Sequence, residues 1–153
     1  DMDYILLTDL KELLKNGNSA LPKETINKEK AKKKVLLVNT TGDLMGLFAA
    51  SDIVFMGKSL GENKGGHNII EPAIYGKPII FGRNMDNFRH VAKIFKDHKA
   101  AVEVENEEEF CRTLRSLLSD PDERERLGQM SREVVKNNRG AINKTIELMK
   151  KTL

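Results

Sequence analysis

Four short apolar runs govern what this chain can fold into: Val35-Leu36-Leu37-Val38, Ile53-Val54-Phe55-Met56, Pro78-Ile79-Ile80-Phe81 and residues 100–104. Each is too short for a stable helix, and all but the last, which Glu103 interrupts, are apolar throughout rather than alternating. That pattern is expected of strands covered on both faces. The segments between them carry apolar residues at helical spacing. Strands alternating with helices predict an α/β fold, a Rossmann-like parallel sheet with helices on both faces. Ligands of such sheets sit beyond the carboxyl ends of the strands. Three loops fall there, residues 39–43, 57–68 and 82–87, and all are rich in Gly, Asn, Ser and Thr.

The remaining elements follow from periodicity. Leu6, Leu7, Leu10, Leu13 and Leu14 predict a helix over 4–15, stopped by Asn16-Gly17-Asn18. Residues 17–34 read as a polar loop with an edge strand, and their lysines (Lys28, Lys30, Lys32, Lys33 and Lys34) as solvated surface, with an acidic membrane or an anionic substrate as the alternative. Short helices are expected over 44–50 and from Asn68 to a C-terminal glycine, Gly76, and a longer one over 88–98. From Asn106 onward the pattern is helical, over 107–118, 122–137 and 141–153, the first burying Phe110, Leu114, Leu117 and Leu118.

Composition narrows the function. The chain has 153 residues, 39% hydrophobic and 32% charged, with a net charge of +3. That length supports one domain with a real core. The mild charge and scarce aromatics argue against nucleic acid as a partner. No run is long and apolar enough for a membrane span. A single cysteine, Cys111, makes no internal disulfide and reads as a buried small hydrophobe. The three histidines show no metal-ligand spacing with it, so neither a metal nor a cofactor is expected. The Walker, Rossmann Gly-x-Gly-x-x-Gly and Gly-x-Ser-x-Gly patterns are absent.

The densest chemistry is Gly65-Gly66-His67-Asn68-Ile69-Ile70-Glu71-Pro72, where a loop turns into a helix between two strands. Such a turn frees backbone N–H groups, and a helix start favours an anion. Glu71 lies three residues after Asn68, on the same helix face, within reach of a hydroxyl-bearing ligand. An anion end beside a carboxylate points to a nucleotide or a phosphosugar.

Read together, Thr40-Thr41-Gly42-Asp43-Leu44, Ala50-Ser51-Asp52, Gly57-Lys58-Ser59-Leu60, Gly65 through Pro72, Gly76-Lys77-Pro78, Gly82, Asn87-Phe88 and Asn138-Arg139-Gly140-Ala141 resemble the C-terminal half of the 3-deoxy-D-manno-octulosonic acid (Kdo) transferases, over roughly residues 35–145. The resemblance implies the C-terminal, donor-binding domain of a GT-B fold, with residues 1–153 as one domain and an N-terminal acceptor domain lying outside this sequence. It implies metal-free transfer of Kdo from CMP-Kdo to a lipid A precursor, by a peripheral enzyme at the cytoplasmic face of the bacterial inner membrane. The family's catalytic carboxylate belongs to the other domain, so this portion is expected to bind donor without catalysing.

By the same resemblance Gly65, Gly66, His67 and Asn68 hold the phosphate and carboxylate end of the donor. Glu71 binds the ribose hydroxyls, Thr40, Gly42, Asp43 and Ser59 line the nucleotide pocket, and Asn87 lies near the sugar. His67 has at most an auxiliary part in catalysis. The chain departs from the family at Asn39 and Asp43, where Asp and Glu are usual, and at Lys58 and Arg83, where Gly and Pro are usual. Two other readings stand beside this one: a stand-alone nucleotide-sugar-binding module, and a GT-B enzyme using a UDP-sugar.

Overall fold

The computed structural model describes residues 4–16 and 35–138, and the chain divides into two compact units between Leu44 and Met45. In the first unit, β1 (Tyr4–Leu6) runs directly into α1 (Leu7–Asn16) and pairs in parallel with β2 (Val35–Leu37). The register sets Tyr4 beside Val35, Ile5 beside Leu36 and Leu6 beside Leu37.

This corrects the sequence reading twice. Residues 4–6 are a strand and not the first turn of the helix, because a pairing partner 31 residues away outweighs the local leucine spacing. β2 is also not covered on both faces. Leu36, Leu37 and Val38 are 37%, 51% and 37% exposed, in a sheet that has two strands among the described residues.

The chain then forms α2 (Leu44–Ala50) and enters the second unit, built on a parallel sheet ordered β3-β4-β5. Its strands are β3 (Val54–Met56), β4 (Ile79–Gly82) and β5 (Val102–Val104). Between them lie α3 (Ile70–Ile74), a 3-10 turn (Asp86–Phe88) and α4 (Arg89–Asp97); α5 (Glu107–Ser119) and α6 (Pro121–Asn138) follow.

The strand period of two divides the core. Val54, Met56, Ile79 and Phe81 face one side and pack with Phe48, Ile69, Ala73, Met85, Ala92 and Phe95. Ile80 and Val104 face the other, against Leu117 and Leu127, with Phe110 and Leu114 at the border. Helices on both faces are therefore confirmed for this sheet. Ile79, Ile80 and Phe81 are 0% exposed. Burying each contributes about 1.5–3 kcal/mol, which makes β4 the anchor of the unit.

Two residues of α5 depart from expectation. Cys111 is exposed and Leu118 is 61% exposed. Phe110, Leu114 and Leu117 already define the inward stripe, and neither of the other two lies on it. The expected helix over 141–153 and the loop and lysine cluster over 17–34 lie outside the described residues.

Candidate functional site

The carboxyl ends of β3 and β4 carry two loops, residues 57–69 and 83–85, that are hydrogen-bonded to each other. The first begins with a sharp reversal. Lys58 adopts φ 55°, unusual for a side-chain-bearing residue, and its carbonyl accepts the Gly66 N–H at 2.9 Å. Gly65 and Gly66 follow at φ 109° and 65°, conformations that favour glycine. Space forbids larger residues as well. A Cβ on Gly65 would stand 2.8 Å from Asn87 Nδ2, and one on Gly66 would overlap the Met85 sulfur. The Asn87 N–H donates to the Gly65 carbonyl at 3.0 Å. Gly65 and Gly66 thus pack against the segment that carries Met85 and Asn87.

Beyond the glycines, His67 is exposed and Asn68 and Glu71 are half-buried. Asn68 is used at both ends of its amide: Oδ1 accepts the Ile70 N–H at 3.1 Å and Nδ2 donates to Glu71 Oε1 at 3.2 Å. The second bond places Glu71 on the Asn68 face, as its spacing implies. The backbone N–H groups of His67 and Asn68 have no acceptor among the described residues. α3 itself spans five residues and its N-cap, Ile69, makes no side-chain capping bond. So short a helix has little dipole. The free donors at this turn are therefore loop N–H groups rather than a helix terminus, which amends the sequence reading.

Ser59 also requires correction. It is 0% exposed, and its hydroxyl donates to the Met56 carbonyl while accepting the Gly82 N–H at 2.8 Å. Both functions of the hydroxyl are spent on backbone, so Ser59 positions the loop on β4 and does not face a pocket. Gly82 permits that closeness, since a Cβ there would stand 2.9 Å from the Leu60 Cα and collide with the Ser59 backbone. Lys58 and Arg83 are both exposed and have no ion pair among the described residues.

The remaining predicted residues belong to the first unit. Thr40, Gly42 and Asp43 share the turn after β2, with Gly42 at φ 92° and open space where a Cβ would stand. The Thr40 hydroxyl donates to Asp43 Oδ2, and Lys11 Nζ lies 2.6 Å from both Asp43 oxygens. These bonds, that from Lys11 first, hold the Asp43 carboxyl below the ordinary aspartate range. Sequence reasoning missed Lys11. It stands 32 residues away on α1, and nothing local marks it.

The model of the family described as "Glycosyl transferases group 1" matches residues 15–134. The chain belongs to the group 1 glycosyl transferases. A 3-deoxy-D-manno-octulosonic acid transferase from Haemophilus influenzae is 32% identical over 140 residues, 91% of this chain and 31% of that protein. A bifunctional glycosyltransferase/methyltransferase from Fusobacterium nucleatum is 32% identical over 130 residues, 83% of this chain and 20% of that one. The chain thus spans about a third or less of the length of these curated relatives. Among solved structures, the C-terminal CMP-Kdo binding domain of WaaA from Acinetobacter baumannii superposes with a TM-score of 0.65 at 24% identity, covering 84% of this chain and 68% of that domain. At that identity the likeness is one of fold, and it gives this glycosyl transferase the architecture of a GT-B C-terminal domain.

Proposed function

We propose that this glycosyl transferase chain is the donor-binding part of a Kdo transferase and takes CMP-Kdo as its ligand. The observation carrying the reading is the 32% identity to the Haemophilus influenzae enzyme along 91% of the chain. The geometry agrees with it. CMP-Kdo bears one phosphate and one sugar carboxylate. The loop N–H groups of His67 and Asn68 form a compact donor set for one anionic end, with the Lys58 and Arg83 cations on the same pair of loops. Glu71 stands beside Asn68 to accept hydrogen bonds from ribose hydroxyls, and Asn87 stands against Gly65 near the sugar. The first-unit turn with Thr40, Gly42 and Asp43 is assigned to the nucleotide.

In the whole protein, a second domain supplies the base that deprotonates the acceptor hydroxyl, and this chain stabilises the CMP leaving group. The acceptor is a lipid A precursor, and the protein works peripherally at the cytoplasmic face of the bacterial inner membrane. No described helix is long and apolar enough to cross a membrane.

Calorimetric titration tests the reading: CMP binds to the chain more tightly than any UDP-sugar, with a dissociation constant in the high micromolar range or weaker for this chain alone, about −5 kcal/mol. Tighter binding of UDP-sugars than of CMP overturns the assignment.

A further inference from the structure

The loop after β4 reaches across the loop after β3 through one side chain that the sequence motif does not contain. Asn84 Nδ2 donates to two carbonyls of the neighbouring loop, Gly61 and Asn63, each at 2.8 Å. Its own N–H donates to the Ser59 carbonyl at 2.9 Å. Asn84 therefore closes three bonds on residues 59–63, directly before the Gly65-Gly66 reversal. The other fixings of that stretch are the Gly66-to-Lys58 bond, the buried Ser59 hydroxyl and the local Asn63-to-Leu60 bonds.

Residues 61–64 are exposed and bury no apolar side chain, so packing does not hold them. Two carbonyls drawn to one amide fix the arc of the loop, and the arc fixes where the His67 and Asn68 N–H groups point. Asparagine suits the task, because its amide nitrogen carries two donors and each meets a different carbonyl.

We propose that Asn84 is a positioning residue for donor binding, acting through the loop and making no contact with the donor. The role rests on the donor-binding reading above. An aspartate at this position keeps the shape, removes both donors and sets a carboxylate against two carbonyl oxygens. An alanine removes the donors without the charge, and stands in if the aspartate variant does not fold.

The test uses the intact protein. Wild type, Asn84→Asp and Asn84→Ala are compared by CMP titration, by amide hydrogen exchange over residues 57–69, and by donor KM and kcat where transfer is measured. The expected result is a CMP dissociation constant raised about tenfold or more, consistent with the loss of two neutral hydrogen bonds. Exchange should accelerate in the loop while β4 stays protected, and saturating CMP should restore the loop's protection. In turnover, kcat/KM for the donor falls together with the CMP affinity. Unchanged CMP affinity beside accelerated loop exchange overturns the proposal and leaves Asn84 a structural brace only. Unchanged exchange overturns it as well. If wild type itself does not bind CMP, the donor reading fails and the role falls with it, a result distinguished by the wild-type titration alone.

Discussion

Glu71 is the residue at which function and mere solvation part most cleanly. It is half-buried, and among the described residues its one hydrogen-bond partner is the Asn68 amide. If it accepts ribose hydroxyls, Glu71→Ala costs about 1.5–3 kcal/mol of CMP affinity, the scale of a hydrogen bond to a charged group. A solvated helix residue moves affinity and stability by about 0.5 kcal/mol or less. The expected outcome is the larger loss with an unchanged melting temperature. CMP titration of the variant at wild-type affinity would refute the assignment. The turn at the motif was legible because Gly-Gly-His-Asn-x-x-Glu-Pro combines glycines, donors and a carboxylate in one local stretch. Ser59 was misassigned for the opposite reason. Whether a serine hydroxyl faces a ligand or is buried on backbone depends here on the Gly82 N–H, 23 residues away, and no local pattern encodes that meeting.

At the scale of elements, β3, β4, β5 and the helices over 107–119 and 121–138 fall close to where periodicity places them, since each carries its own apolar stripe. β1 escaped notice because three residues are too few to show a period, and pairing alone makes them a strand. Gly128 was equally invisible: inside a helical pattern it reads as a weak helix former. The structure gives it a purpose. A Cβ there would overlap the Gly76 carbonyl oxygen and stand 3.8 Å from the Pro78 ring, so α6 lies on the α3–β4 turn only because residue 128 has no side chain. Alanine gains about 1 kcal/mol of helix propensity. Overpacking against backbone costs about 1–3 kcal/mol, because a carbonyl cannot rotate aside as a side chain can. The second term wins. Gly128→Ala lowers the melting temperature although it improves the helix, and thermal unfolding followed by circular dichroism checks it. A raised melting temperature would show that α6 can lift off the turn without loss.

For the molecule as a whole, three carboxylates are each paired with a cation, and this has a pH signature. Asp43, Asp97 and Glu123 all titrate below their ordinary values of 3.8, 3.8 and 4.5, chiefly through hydrogen bonds from Lys11, Lys93 and Arg126. A carboxylate whose folded pKa is depressed stabilises the fold above its unfolded pKa, and loses that contribution as pH falls through the folded one. These contributions are complete at neutral pH, begin to fail near pH 4.5 with Glu123, and fail below about 3.8 for the two aspartates. The Lys93–Asp97 and Arg126–Glu123 pairs are solvent-exposed single-turn pairs, worth little and screened by salt. Asp43 differs because Lys11 and Thr40 converge on it from separate elements. Under the proposed assignment of Asp43 to the nucleotide, pairing its charge also matters chemically, since an unopposed carboxylate there would repel an anionic donor. Lys11→Met should therefore raise the Asp43 titration midpoint toward 3.8, as read by carboxyl-carbon NMR, and lower stability at pH 7, with the difference from wild type shrinking as pH falls and Asp43 takes up its proton. The same variant should weaken CMP binding at pH 7. A midpoint unmoved by the substitution would mean that Lys11 does not hold Asp43 in solution, and the electrostatic part of the nucleotide assignment would have to rest on Thr40 alone.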